Sequence, residues 1–184
     1  MSTKKMPGRM LHKMKGVTAA PPLPDRRESV ASFMGSLLAL GLIGLLHGVC
    51  LDSTGLPLLM APFGASAVLV FGASGSPLAQ PRNVIGGHVL SAAIGVTLFH
   101  LVGQSEMLAV SLAVPAAIAA MHLTGTLHPP GGATAFVAAS GGSGVHAIGY
   151  WYVLTPCAVG SVLMVAIALV VNNISDRRQY PLFW

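Results

Sequence analysis

The hydrophobic and polar positions of this chain alternate in long blocks. Apolar stretches are separated by short breaks rich in glycine, proline, serine or charged residues, and two of the stretches are shorter than the roughly 17 apolar residues that a spanning helix needs at least. The six stretches are Ala31 to Leu51, Leu58 to Phe71, Val84 to Val102, Met107 to Leu123, His128 to Ser140 and Ile148 to Val171. The pattern predicts an all-α integral membrane protein with about six short hydrophobic segments, the second and fifth being half helices. Four full spans plus two re-entrant segments are the alternative.

Composition favours the same class of protein. Of the 184 residues, 53% are hydrophobic and 8% are charged, and the mean hydropathy is +0.73. Soluble domains are about a quarter charged. Because six membrane segments occupy most of the length, we expect one membrane unit and no enzyme active site. Cys50 and Cys157 lie in different apolar stretches without the spacing of metal ligands, so we expect free thiols and no cofactor or metal.

The few charged residues predict domain limits and orientation. Residues 1–30 carry seven of the ten Lys and Arg side chains and end in a run of prolines, which indicates a flexible cytoplasmic tail that contacts anionic lipid rather than nucleic acid. Residues 31–174 are the expected transmembrane domain, and residues 175–184 a cytoplasmic C-terminal tail, in a bacterial-type inner membrane. With six segments, Arg82 lies on the same side as both tails. With four spans it lies on the outer side.

The sequence contains an internal repeat. Residues 62–67 and residues 130–135 both follow the pattern Pro-x-Gly-Ala-(Ser or Thr)-Ala, 68 residues apart. Each copy is preceded by an apolar segment and followed by a long one. Since three segments per copy is an odd number, the second half is expected to enter the membrane inverted relative to the first. The alternative is a chance recurrence of small residues in Gly- and Ala-rich helices.

Each copy of the repeat has the composition of an anion site at a helix start. Proline presets the first turn and lacks an N–H, while the glycine and alanine that follow leave the first-turn N–H groups uncovered. Two such helix starts that enter from opposite faces can meet near the bilayer midplane, where both dipoles attract an anion. The candidate substrate-binding residues in the two copies are Pro62, Gly64, Ala65, Ser66, His128, Pro129, Pro130, Gly131, Gly132 and Thr134.

The third segment adds three polar candidates. Arg82 is the only cation between the two tails, so it is suited either to hold an anion or to fix the topology at the interface. Asn83 is suited to bind substrate or to cap the segment. His88 can carry a proton, as can His128, and the alternative for both is a structural hydrogen bond. The histidines expected to be interfacial or packing residues are His47, His100, His122 and His146.

Three motifs carry a resemblance to a known family. Residues 126–135 resemble the signature of the HPP family of integral membrane proteins, and residues 61–69 and 79–88 resemble its other strong motifs. The resemblance covers about residues 30–175. Members are usually described as four-span membrane proteins, and plant chloroplast and cyanobacterial members are associated with nitrite transport. The resemblance therefore implies a transporter of a small inorganic anion, with nitrite as the first substrate to consider. Since His88 and His128 can each carry a proton, we also expect protons as a coupling ion.

Other functions remain open from the same residues. An anion-selective channel uses similar half helices. A haem-binding electron carrier would pair His47 with His100 or His122, and an intramembrane hydrolase would pair Ser66 with His128. A homo-oligomer is expected because small residues on the first segment favour close helix contact, either within the chain or between subunits; they are Gly41, Gly44 and Gly48.

Overall fold

The computed structural model describes residues 13–14, 18–20, 22–51, 59–102 and 105–184. These residues form helices and connecting segments and contain no strand, so the predicted all-α membrane fold is confirmed. The α-helices are α1 Arg26–Leu46, α2 Pro62–Gly72, α3 Pro81–Leu101, α4 Glu106–Thr124, α5 Pro129–Ser140, α6 Gly142–Ile148 and α7 Val159–Val171. π-helical turns extend α1 at His47–Leu51 and precede α7 at Val153–Ala158. Asp52 and the basic residues before Lys13 lie outside the described residues.

The helices fall into two length classes. Four stretches are long and apolar enough to cross a membrane: Arg26–Val49, Pro81–Leu101, Glu106–Thr124 and Val153–Val171. A helix of about 20 residues is about 30 Å long, which matches the hydrocarbon core. By the same rise, the 11 residues of α2 and the 12 residues of α5 extend only about 16–18 Å. The second and fifth segments are therefore half helices, as the breaks in the hydrophobic pattern predict.

Successive segments run in alternating directions. One face contains the starts of α1 and α3 and the ends of α2, α4 and α7. Four hydrogen bonds join them: Ser32 Oγ to Phe71 O (2.7 Å), Asn172 Nδ2 to Val70 O (2.9 Å), the Tyr180 hydroxyl to Ala79 O (2.9 Å) and Arg82 to Thr124 O (2.7 Å). We call this the termini-side face and the opposite one the distal face. Arg82 thus shares a face with the start of α1 and the end of α7, as six alternating segments require. The second half is inverted relative to the first.

The two halves exchange helices. α3 packs mainly on α4 and α5, whereas α7 packs most extensively on α1 and has smaller contacts with α3 and α2. The result is two bundles, bundle 1 (α1, α2, α7) and bundle 2 (α3, α4, α5), and each takes its long third helix from the other half. The contact between α3 and α5 is very close, since a Cβ on Gly95 would lie 2.6 Å from Ala135 O and 2.5 Å from Ala138 Cβ. Small residues allow this approach, as in other membrane helix pairs.

The described helices and contacts extend beyond both ends of the apolar stretches. α1 begins at Arg26 rather than near residue 31, because Asp25 caps it by accepting the Glu28 N–H at 2.8 Å. This bond, with Arg177 nearby, holds the pKa of the Asp25 carboxyl below its usual value. The C-terminal segment also belongs to the fold, since Tyr180 is 2% exposed and the Leu182 N–H donates to Gln80 Oε1 at 2.7 Å.

Neighbouring arginines after α7 have very different surroundings. The Arg178 side chain is 7% exposed and lies 2.6 Å from Glu28, and it also donates to Phe71 O at 3.0 Å and Asn172 Oδ1 at 3.1 Å. Arg178 therefore fastens the end of α2 to α1 and α7. The Arg177 side chain is 58% exposed, and its ion pair with Asp25 is open to solvent.

We expect Arg178→Ala to lower the free energy of unfolding by about 2–3 kcal/mol. The substitution leaves the Glu28 carboxylate without its partner and removes one of the two donors to Phe71 O, and the 30% exposure of Glu28 moderates the loss. Arg177→Ala is the matched control and is expected to cost about 0–1 kcal/mol, as exposed ion pairs do. Thermal unfolding of both variants in detergent measures the difference. Equal losses of stability would contradict the assigned role of Arg178.

Candidate functional site

The end of α4 directs the chain into the protein interior. Gly125 adopts a left-handed conformation with φ of 65°, which glycine reaches without steric cost, and Thr126 N–H returns to Met121 O at 2.9 Å. The helix therefore stops and the next residues turn inward to start α5. Gly87 of α3 leaves room for them, because a Cβ there would lie 2.6 Å from His128 Cβ. His128 is thereby held against α3 in the interior.

Four buried polar side chains meet where α2, α3 and α5 come together. Ser66 Oγ lies 2.7 Å from His88 Nε2 and 2.9 Å from His128 Nε2. His88 Nδ1 lies 2.7 Å from Thr134 Oγ1, and His128 Nδ1 lies 2.8 Å from the carbonyl oxygen of Leu78. All four side chains are fully buried. We call this arrangement, from Thr134 to the Leu78 carbonyl, the histidine–hydroxyl network.

The Leu78 carbonyl fixes the direction of every hydrogen bond in the network. Because a carbonyl only accepts, His128 Nδ1 must donate to it, so neutral His128 accepts the Ser66 O–H at Nε2. Ser66 Oγ in turn accepts from His88 Nε2, and His88 Nδ1 accepts the Thr134 O–H. With both histidines neutral, every donor has an acceptor. All the bonds run the same way, from α5 towards the termini-side loop.

The network can also accept a proton. The Thr134 hydroxyl has a second acceptor, the Pro130 carbonyl at 3.2 Å. If His88 takes a proton at Nδ1, Thr134 turns its O–H to Pro130 and accepts from His88, so no group loses its partner. If His128 takes a proton at Nε2, Ser66 accepts from both histidines and its own O–H is released. That released donor requires a new acceptor.

The internal repeat is visible in the network. Ser66 and Thr134 occupy equivalent positions, 68 residues apart, and they bind opposite nitrogens of the same His88 ring. Ser66 belongs to bundle 1, whereas both histidines and Thr134 belong to bundle 2. The bonds from Ser66 therefore cross the boundary between the bundles. Motion of one bundle against the other would break them.

The first-turn N–H groups, which the sequence suggests as anion donors, are occupied in this conformation. Phe63 N–H donates to Met60 O, Gly64 N–H to Ala61 O and Gly131 N–H to His128 O, at 2.8–3.0 Å. The prolines at both helix starts have no N–H. These N–H groups therefore reach a ligand only if the helix starts rearrange, whereas the Ser66 O–H is released when His128 takes a proton.

The other candidate residues surround the network at different depths. Pro62, Pro130 and Gly131 are buried beside it, and a Cβ on Gly131 would lie 2.9 Å from Ser91 Oγ. Gly132 is half-buried. Those exposed on the outside of the helices or at the termini-side face are Gly64, Ala65, Arg82 and Pro129. Arg82 donates to the Thr124 carbonyl at the end of α4 rather than facing the network.

Asn83 lies between the network and the termini-side face. Its Nδ2 donates to Leu127 O at 2.8 Å, whereas its buried Oδ1 has no hydrogen-bond partner. The free atom of this side chain is an acceptor, so it is suited to a hydrogen-bond donor such as water rather than to an anion. Of the two roles that the sequence leaves open for Asn83, the geometry therefore favours holding the loop before His128.

Two further groups belong to the site but are not among the residues that the sequence predicts. The Leu78 carbonyl sets the orientation of His128, and a backbone oxygen carries no residue preference. Ser91, fully buried, lies one turn after His88 and donates to the sulfur of Met121 at 3.7 Å. The spacing of three residues between His88 and Ser91 along α3 is the only sequence feature that points to Ser91.

Comparisons with known proteins agree with this architecture. The model of the transmembrane region of the HPP family matches residues 21–181. Two transmembrane proteins of Dictyostelium discoideum are 41% and 40% identical over 94% and 92% of the chain. The chain spans 56% and 60% of the length of these relatives. No solved structure matches the chain. The extent of the match shows that the chain belongs to the HPP family of integral membrane proteins.

Proposed function

We propose that this protein is a membrane transporter that carries a small inorganic anion, nitrite, together with a proton. The observation that carries the proposal is the histidine–hydroxyl network, in which two neutral histidines and two repeat-equivalent hydroxyls meet without solvent contact. Intramembrane ionisable residues of this kind mark ion and proton pathways. The resemblance to family members associated with nitrite transport supports the choice of anion.

The network gives a reason for proton and anion to bind together. A proton on His128 releases the Ser66 O–H and places a positive charge in the interior, which is costly by itself. An anion next to Ser66 accepts the released O–H and neutralises the charge. Each ion therefore raises the affinity for the other, and the coupling is reciprocal by linkage. The pair crosses the membrane without net charge.

The tight packing favours a small substrate. The polar groups are in direct hydrogen-bond contact at 2.7–2.9 Å, and the glycines beside them leave no space for a side chain. An ion of three or four atoms that replaces one or two of these contacts demands little rearrangement. A larger ligand would have to separate α3 from α5.

The helix exchange suggests how the ions move. Inverted-repeat transporters bind substrate where the repeats meet, and one bundle rocks against the other. Here the boundary runs between Ser66 and the two histidines, so rocking opens the network on one side and closes it on the other.

We further propose that the protein lies in a bacterial-type inner membrane with both termini cytoplasmic.

The decisive test is flux into proteoliposomes that contain the purified protein. Nitrite is compared with nitrate, formate, chloride and sulfate, with and without an imposed pH gradient. We expect selective nitrite entry that saturates with concentration and increases when the outside is more acidic. Folded protein that moves none of these anions would contradict the proposal, and flux without saturation would favour a channel.

A serine hydrolase requires a serine hydrogen-bonded to a base that a third group orients. Ser66 and His128 meet this requirement, since His128 is oriented by the Leu78 carbonyl. Two observations favour transport instead. Ser66 also accepts a hydrogen bond from His88, and its repeat equivalent Thr134 binds that same ring. An active-site fluorophosphonate probe distinguishes the two, since only a hydrolase is labelled at Ser66.

A further inference from the structure

A second buried polar cluster lies at the distal end of α2. Met60 is 7% exposed, Tyr152 is 1% exposed and Cys157 is fully buried. The Tyr152 hydroxyl donates to Met60 Sδ at 3.5 Å, and the Cys157 thiol lies 3.7 Å from the same sulfur. Two polar hydrogens thus converge on one thioether.

The thioether is a weak acceptor for these donors. A buried hydroxyl that lacks a strong acceptor costs free energy, and buried hydroxyls in proteins are therefore usually paired with an oxygen or nitrogen acceptor. Among the residues that the structure describes, Tyr152 has no such acceptor. Methionine is flexible and can change rotamer at small cost, so Met60 can leave this position more easily than a rigid side chain.

The repeat relates this cluster to the histidine–hydroxyl network. Met60 lies 68 residues before His128, and each stands two residues ahead of the proline shared by the repeats, Pro62 and Pro130. Along α2, Ser66 lies between Met60 and the termini-side end of the helix. His128 bonds towards the termini-side loop, whereas Met60 contacts Tyr152 and Cys157, which both precede α7. The two clusters therefore lie on opposite sides of Ser66.

We propose that Met60, Tyr152 and Cys157 form a second binding position for a small anion, on the distal side of the network. The Tyr152 O–H and the Cys157 S–H are its donors, and the Met60 side chain fills it when no anion is present. An anion that leaves Ser66 towards the distal face reaches this position next. The inference rests on the proposed transport function and adds a second position to its path.

The test uses Tyr152→Phe and the double variant Tyr152→Phe with Cys157→Ala. Nitrite uptake is measured in right-side-out and in everted membrane vesicles, so that each face is supplied separately. We expect the double variant to raise the nitrite concentration for half-maximal rate about tenfold or more when the distal face is supplied, since hydrogen bonds to charged groups are the strong ones. The value from the termini-side face should change much less. Tyr150→Phe is the matched control, because Tyr150 is exposed and its hydroxyl pairs with Thr97.

The outcomes separate the two proposals. Wild-type nitrite flux with unchanged half-maximal concentrations in the double variant would overturn the second position and leave the transport function intact. An equal change from both faces would also overturn it, because a purely structural role predicts that symmetry. Absence of nitrite flux in folded wild-type protein would overturn the transport function and the second position together.

Discussion

Replacing His88 with glutamine is expected to abolish the response of nitrite uptake to a pH gradient. Glutamine can donate to Ser66 and accept from Thr134, but it cannot carry a proton. Because the imidazole ring joins the two hydroxyls at 2.7 Å on either side, its loss breaks the path by which a proton reaches Ser66. We expect uptake driven by the gradient to fall by about a hundredfold, as for the loss of a proton-transfer group.

Folding should survive this substitution. The Thr134 hydroxyl can turn to Pro130 O, and Ser66 keeps its bond to His128. The matched control is His146→Gln at the distal end of the fold, where the imidazole stacks on Phe99 at 3.5 Å between ring centroids. The control should keep the gradient response. A His88→Gln variant that retains normal coupling would show that the network serves only to hold the helices together.

Gly87→Ala should damage both stability and transport. The added Cβ would lie 2.6 Å from His128 Cβ and 3.1 Å from Thr126 O, in a segment that has no space to move because α5 starts there. Overpacking of this kind costs about 1–3 kcal/mol, and relief requires His128 to shift away from Ser66. We therefore expect a lower unfolding temperature together with a loss of nitrite flux in the protein that remains folded.

Gly64→Ala is the control for this substitution. Gly64 lies within the repeat motif, yet a Cβ there meets no described atom within 4 Å. Alanine in a helix is about 1 kcal/mol more favourable than glycine, so this variant should be at least as stable as the wild type and should transport normally. If Gly64→Ala instead lowered the unfolding temperature and the nitrite flux more than Gly87→Ala, the start of α2, rather than the α3–α5 contact, would determine the geometry of the site.

Much of the fold follows from local features of the sequence. The prolines and glycines that divide the apolar stretches also end or start the helices, and the repeat of residues 62–67 at 130–135 predicts the inverted second half. The network residues were also among the candidates. The sequence places a hydroxyl residue at the same repeat position in each half, and these two hydroxyls bind the His88 ring. It also places His88 directly after Gly87, which makes room for His128.

Other features depend on tertiary structure and have no local pattern. The repeat predicts two halves, but the exchange of α3 and α7 between bundles arises from packing across the whole chain. The sequence predicts free N–H groups at Gly64 and Gly131, yet both donate hydrogen bonds within tight turns at the helix starts. The sequence predicts a C-terminal tail at residues 175–184, whereas Tyr180 packs into the core because Asn173 and Gln80 bind the neighbouring backbone.

The central claim is that one proton accompanies each anion through the histidine–hydroxyl network. The most direct test records nitrite uptake and internal pH in the same proteoliposomes, with the membrane potential clamped at different values. We predict one proton per nitrite and a rate that does not depend on the potential, because the pair carries no net charge. Nitrite flux without proton movement, or flux that carries a current, would contradict the account.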